Sequence, residues 1–238
     1  IESGLVVGSV EAADVSLALR RVVDTTGYVA ADLHFHTSNS IDSGSSPRAQ
    51  VRATAGEGVE LLVSSDHNLL ADLAPVIATE GLDRYLSTVR GIELTTLEGG
   101  HFNGYPLRYD IAATLHGSFP WVERAPALNF QGLRDLGLFG PEKWIVQVNH
   151  PRDLVLGYFD QYQLSNLTAV PMLAKPSDLG LGVPAGPAFI EYDDLGKPVV
   201  DENGYAKNLL SFDFDAMELL NGKTFWEIHS LRAFDRAD

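Results

Sequence analysis

The sequence predicts an α/β fold, with helices covering a largely parallel sheet or barrel. Two observations carry this. From Tyr28 onward, short apolar runs of strand length alternate with capped or amphipathic helical stretches. Several of those runs also end in polar, metal-ligating residues: Asp32-Leu33-His34-Phe35-His36, then Ser64-Ser65-Asp66-His67, and later Asn149-His150-Pro151. Active sites of parallel α/β barrels lie at the carboxyl ends of their strands.

Residues 1–27 stand apart. Leu5-Val6-Val7, then Val15, Leu17 and Leu19 alternating with Ser16, Ala18 and Arg20, fit a period of two, although a helix through Val15, Leu19, Val22 and Val23 also fits. Asp24-Thr25-Thr26-Gly27 is turn chemistry and marks a boundary. The segment reads as the tail of a preceding β-rich module or as an edge hairpin. The chain starts at Ile1 with no initiator Met and no charged-then-apolar leader, so it reads as a processed or excised piece.

Tyr28 to Leu33 is the first strand of the repeating part. Ser46-Pro47 is an N-cap with proline at the first helical position, and the helix stops near Gly56 and Gly58. Val59–Val63 forms the second strand, followed by a helix around Leu69–Ala78 bent or broken at Pro75. A strand over Leu86–Leu94 carries Glu93, and a short one covers His101–Leu107. Trp144–Val148 and Phe214–Leu220 are the later strands, and an amphipathic helix runs from about Thr224 to the end. Leu154–Leu210, rich in Pro, Gly and Asp, reads as a lid or binding loop. No repeat of fixed period stands out.

Composition bounds the function. The 238 residues (25.8 kDa) suit one large domain or one domain with a small appendage, and 45% apolar with 21% charged residues describes a globular chain. No apolar run approaches the ~18–20 residues of a membrane span. A net charge of −15, from 17 Lys+Arg against 32 Asp+Glu with no basic cluster, argues against nucleic acid and anionic membranes as partners. There is no cysteine, so disulfides, zinc fingers and thiol nucleophiles are excluded, and any metal is held by His, Asp and Glu. The compartment stays open: soluble, and cytoplasmic or exported with a leader that this chain does not carry.

His34 and His36 are two apart in an extended segment and therefore point to one side, where both imidazoles can reach one ion. His67 after the second strand, Glu93 on the third and His150 after a later one converge on the same rim. A metal site is the expectation.

In this order the residues resemble the motifs of the PHP (polymerase and histidinol phosphatase) superfamily. Asp32-Leu33-His34-Phe35-His36-Thr37 with Ser40 and Asp42 is similar to its first motif. Ser65-Asp66-His67-Asn68 is similar to the second, Gly91-Ile92-Glu93 to the third and Asn149-His150-Pro151 to the fourth. Gly100-His101-Phe102-Asn103 and Asp215-Ala216-Met217-Glu218-Leu219-Leu220-Asn221-Gly222 point to its CehA/McbA-like metallohydrolase branch. The resemblance covers residues 28–238 and implies a distorted (β/α)7 barrel with two or three divalent ions at its mouth. His34 and His36 would bind one ion, with Glu93 bridging to a second that His101 and His150 complete, while Asp42 and His67 would hold a third. The family's late Asp-x-His is missing. Either the barrel is C-terminally incomplete and lacks its last strands, with a further chain segment completing the site, or the site is degenerate. On the first reading, two ions are held and the Asp42/His67 position is weak.

Other residues read more plainly. His116 is a loop histidine, and His229 a polar position on the last helix. Asp66 orients His67 or caps the following helix, and Asp213 and Asp215 mark a loop-to-strand boundary. Arg152 is evenly divided between gripping an anionic substrate and standing as a surface arginine. With no Cys and no Gly-x-Ser-x-Gly elbow, the nucleophile is water activated by Zn, Mn or Fe. The first expectation is a phosphoesterase acting on a small anionic molecule, with Glu93 as the catalytic carboxylate. The alternatives are a carbamate, ester or amide hydrolase and a non-catalytic, metal-bearing scaffold.

Overall fold

The computed structural model describes residues 24–97, 99–110, 112–140, 143–153, 156–171, 173, 175–178 and 189–219. The strand or hairpin expected before residue 24, the final helix and His229 lie outside the described residues.

Strands β1 (Ala31–Phe35), β2 (Leu61–Ser64) and β3 (Ser87–Arg90) form a parallel three-stranded sheet in the order β1-β2-β3. Helices α1 (Pro47–Gly56) and α2 (Ala74–Thr79) are the crossovers that parallel pairing requires. The α1 start follows the sequence: Ser46 is extended, its side chain accepts from Ala49 N at 3.2 Å, and Pro47 takes the first position. Helix α2 differs from expectation. It begins only at Ala74, so Pro75 opens the helix instead of bending it, and the Asp72 side chain accepts from Ala74 N. Phe35, Val51, Leu62, Leu73, Ile77 and Leu86 pack as the core of this half.

The second sheet has the order β4-β5-β6-β7, from β4 (Ile92–Thr95), β5 (His101–Tyr105), β6 (Ile145–Val148) and β7 (Ala216–Met217). Pairing is parallel only at β6–β7; β4–β5 and β5–β6 are antiparallel. Residues 96–100 are too few for a crossover, which needs a dozen or more, so β5 must run back along β4. Thr96 Oγ1 accepts from Gly99 N at 2.9 Å and donates to Gly100 O at 2.6 Å, fixing the reversal. Helix α3 (Pro126–Asp135) and the short α4 (Tyr158–Gln161) cover one face, where Phe102, Phe130 and Tyr158 meet edge to face at 4.9–6.0 Å. Among the described residues the hydrogen-bonded ladders form two sheets, not one closed ring.

The single strand expected over Leu86–Leu94 is two strands in two sheets, and Gly91 is where the chain changes sheet. A Cβ there would stand 2.7 Å from Val63 Cγ1 and 2.8 Å from Gly104 O. Gly91 N donates to Ser64 O, and the His67–Glu93 bridge continues the junction.

The long segment after β6 is also less bare than its composition suggests. Besides α4 it carries two Asp-x-x-Gly turns eight residues apart, starting at Asp193 and Asp201, so a local repeat does exist. Each aspartate accepts from the backbone two and four residues on, and Gly196 and Gly204 adopt φ of +72° and +81°. The late strand shrinks to Ala216–Met217, with Leu220 outside the described residues. Among the described residues no helix is long and apolar enough to cross a membrane.

Gly91→Ala is expected to destabilise the protein by about 1–3 kcal/mol through overpacking at the sheet junction. Urea unfolding of the metal-free protein checks this, and an unchanged midpoint would show that the junction yields.

Candidate metal centre

The register of the second sheet sorts its side chains. Ile92, Leu94, Phe102, Val146 and Val148 turn to the apolar core. Glu93 pairs with Asn103, Thr95 with His101, and Asn103 with Gln147, so these polar side chains share the opposite face. In β1 the same alternation sends Phe35 and Thr37 inward and leaves His34 and His36 half-buried on the other side. The expected i, i+2 placement therefore holds. His67 follows β2, His150 follows β6, and all of these residues meet at one cleft.

Glu93 is 0% exposed and lies at its centre. Its Oε1 faces His34 Nε2 at 3.3 Å, His101 Nδ1 at 3.1 Å and His150 Nε2 at 3.6 Å. Its Oε2 faces His36 Nε2 at 3.2 Å, while His67 Nδ1, 2.8 Å away, is directed at Thr95 Oγ1. The five imidazoles form a closed ring around this carboxylate. Their centroids are 4.9 Å apart for His34–His36, 4.5 Å for His36–His67, 5.7 Å for His67–His101, 4.9 Å for His101–His150 and 5.8 Å for His150–His34.

Polar neighbours fix these rings. Asp66 is fully buried and accepts from Thr37 N (2.7 Å), Thr37 Oγ1 (2.9 Å), Asn39 Nδ2 (3.1 Å) and Ser40 Oγ (2.9 Å). It thus holds the His36 loop, reaches His67 only through Ser40, and caps no helix, since the next one begins at Ala74. Ser40 gives its one hydroxyl proton to Asp66, so its lone pairs take His67 N–H at 2.9 Å and His36 Nδ1 at 3.1 Å. His36 Nδ1 is thereby the nitrogen that bonds Ser40, and its Nε2 is turned to the centre. Asn149 Nδ2 donates both to Glu93 Oε1 (2.9 Å) and to Asn103 Oδ1 (2.8 Å), and Asn103 Nδ2 donates to Leu33 O in β1 (2.8 Å), tying the two sheets together.

Burial opposes the charge on Glu93, yet the surrounding imidazoles of His101, His150, His34 and His36 hold its carboxyl well below the usual carboxylate range. Burial also opposes a charged His34, but Glu218 and Glu93 outweigh it and raise its pKa to about 10. His101 goes the other way, lowered chiefly by burial. Among the described residues, three buried atoms of the site, Glu93 Oε2, His101 Nε2 and His150 Nδ1, have no hydrogen-bond partner. A carboxylate enclosed by five imidazoles, with such atoms unsatisfied, suits a divalent cation better than protons, since several imidazolium ions this close would repel.

Among the described residues, three groups could each hold an ion: His34, Glu93 and His150; His67, Glu93 and His101; and His36, Asp42 and His67. This grouping differs from the expected one, which paired His34 with His36 and His101 with His150. Asp42 sits at the open end, 54% exposed, 3.3 Å from His67 Nε2 and 3.4 Å from His36 Nδ1. Arg152 does not join the site. It is buried, bonded to Asp160 at 3.0 Å and stacked over Phe159, as an internal tie. His116 stands apart on an exposed turn at Thr114–Gly117, and Asp213 pairs with Arg134 away from the cleft. Asp215 accepts from Val146 N, in keeping with a strand boundary. Sequence reasoning assigned no role to Glu218, Asn149 or Ser40 at the site, although each lay inside a quoted motif.

The cleft measures about 1350 Å3 and is lined, besides the centre, by Leu33, Ile41, Leu97, Trp121, Leu156 and Met217, with no lysine or arginine among the described residues. A smaller cavity of about 690 Å3 beside Arg134 and Trp144 touches none of these groups. No protein-family model matches this sequence, and no curated protein matches it.

Glu93→Gln keeps the volume and removes the charge, and is expected to abolish metal retention at a cost well above the ~0.5 kcal/mol of a surface substitution. Elemental analysis with urea unfolding checks both; wild-type metal content would contradict the central role of Glu93. A second expectation concerns protons. With a folded pKa near 10 against 6.5 unfolded, His34 stabilises the metal-free fold fully below pH 6.5 and loses that contribution as pH rises through about 10. A cation taking Nε2 must expel this proton, so Zn2+ binding at neutral pH should show buffer-dependent heats equivalent to proton release. Heats independent of the buffer would count against a protonated His34.

Proposed function

We propose that this chain is a metal-dependent hydrolase whose nucleophile is a metal-activated water. The carrying observation is the ring of five imidazoles closed on one buried carboxylate, in a cleft open to solvent. The donor set, imidazole and carboxylate without thiolate, fits Zn2+, Mn2+ or Fe2+. The ordered motifs support placing the chain in the PHP superfamily, in its CehA/McbA-like branch and with that family's barrel.

Two or three such ions would lower the pKa of a coordinated water from 15.7 toward ~7 and neutralise the negative oxygen that develops during attack. The chain's own residues do the rest. Glu93 offers one oxygen to the His34/His150 side and the other to the His36/His67 side, so it holds both halves of the centre at one spacing. His36 and His34 each present Nε2 inward because Nδ1 is taken by Ser40 and Glu218. Half-exposed Asp42 stands at the entrance, where substrate arrives.

A phosphoester is the substrate class the resemblance favours. The lining favours a second one, an uncharged carboxylic ester, carbamate or amide. No cationic side chain among the described residues is placed to meet a phosphate, and Ile41 and Leu97 expose nearly their whole apolar side chains beside the centre. A panel of phosphomonoesters, phosphodiesters, aryl esters and aryl carbamates, assayed with chelated and with Zn2+- or Mn2+-loaded protein, tests both. Turnover should vanish on chelation and return with metal. The rim predicts aryl esters or carbamates ahead of phosphomonoesters. Turnover untouched by chelation, or none on any class, would contradict the hydrolase reading.

A further inference from the structure

We propose that Glu218 is the positioning residue of the His34/Glu93/His150 group: it fixes His34 as an Nε2 ligand and holds the backbone turn that aims His150. This rests on the metal-dependent reading above and names which residue controls one ion of the centre. Glu218 directly follows β7, and its N–H donates to Val148 O at 2.8 Å, so the β6–β7 pairing sets its place. Its side chain is 13% exposed and faces the cleft. Oε2 accepts from His150 N at 2.8 Å, and Oε1 and Oε2 lie 3.2 and 3.3 Å from His34 Nδ1. One carboxylate thus reaches two of the three members of the group, from two different sheets.

The chemistry follows from what a carboxylate can do. Ionised, it only accepts, so His34 must carry its proton on Nδ1. Nε2, 3.3 Å from Glu93 Oε1, is left as the nitrogen that faces the centre and can exchange its proton for a cation. A histidine ligand whose other nitrogen donates to a carboxylate has a fixed ring orientation and a stronger donor atom. The bond to His150 N has a separate effect. His150 has φ +26°, a conformation that a residue with a Cβ adopts only when its surroundings impose it. Glu218 at its N–H and Asp153 N at its carbonyl (2.9 Å) supply that constraint. The other imidazoles have other partners: His36 is set by Ser40, His67 by Thr95 and its backbone bond to Ser40, and His101 by Glu93. The control should therefore be selective for one ion.

Glu218→Gln separates this role from packing. An amide has one accepting oxygen for two donors, so either His150 N or His34 Nδ1 meets an NH2 group. If it is His34, the ring must move its proton to Nε2 and cease to be an inward ligand. Zn2+ affinities of wild type, Glu218→Gln and Glu218→Ala, measured by competition with a chromophoric chelator, should show one ion weakened about 10–100-fold and the remaining binding unchanged. Long-range 1H–15N correlation spectra of the Zn2+-loaded wild type should show His34 protonated on Nδ1, a readout that needs no variant and no turnover. Equal affinities in all three proteins, or a His34 protonated on Nε2 in the loaded wild type, would overturn the role of Glu218 and leave the hydrolase reading standing. A wild type that binds no Zn2+ would overturn both. If Glu218→Ala does not fold, Glu218→Gln and the wild-type spectrum decide.

Discussion

The rest of the structure depends on one buried carboxylate. Glu93 is wholly removed from water, and an isolated carboxylate in such a place would cost several kcal/mol or lose its charge. It keeps its charge because polar groups close on it from every side: five imidazoles from four strands and their ends, and the donating amide of Asn149. Each of those groups must arrive at a fixed height. The register of β4 against β5, the sheet change at Gly91 and the turn at His150 all serve that requirement.

The division of faces in the second sheet makes this possible. One face packs Phe102, Phe130 and Tyr158 into a dry aromatic core that stiffens the strands. The other carries Glu93, Thr95, His101, Asn103 and Gln147, which would be costly to bury singly and are tolerable as a network. Outside the ring, Asp66 and Glu218 stand in similar relation to two imidazoles. Asp66 acts through Ser40 on His36, and Glu218 acts directly on His34. Each turns the far nitrogen of its histidine toward the centre, which is what ligation by a cation requires.

Much of this could be read from the sequence, and the rest failed for identifiable reasons. Ser46-Pro47 marked the start of α1 because capping is local chemistry. His34 and His36 could be placed together because strand periodicity needs no tertiary information. The antiparallel β4–β5–β6 arrangement was missed, although the short link between Thr95 and His101 excludes a crossover helix. Gly91 lies inside a quoted motif and an expected strand, and only the neighbouring Val63 side chain and Gly104 carbonyl show why nothing larger fits there. Arg152 sat beside a metal-type histidine in sequence, but the turn at His150 sends it toward Asp160 and Phe159. The grouping of these side chains was beyond sequence altogether, because it depends on which nitrogen of each imidazole meets which oxygen of Glu93.

The proposed hydrolysis requires the ring of imidazoles on Glu93 to be a centre for divalent ions and not a hydrogen-bonded polar core. Anomalous diffraction from crystals of the Zn2+- or Mn2+-loaded protein, collected at the metal edge, distinguishes the two. At least two peaks are expected inside the ring, one about 2.0–2.2 Å from each oxygen of Glu93. A ring with no anomalous peak under saturating metal, its imidazoles still bonded to Glu93, would contradict the proposal.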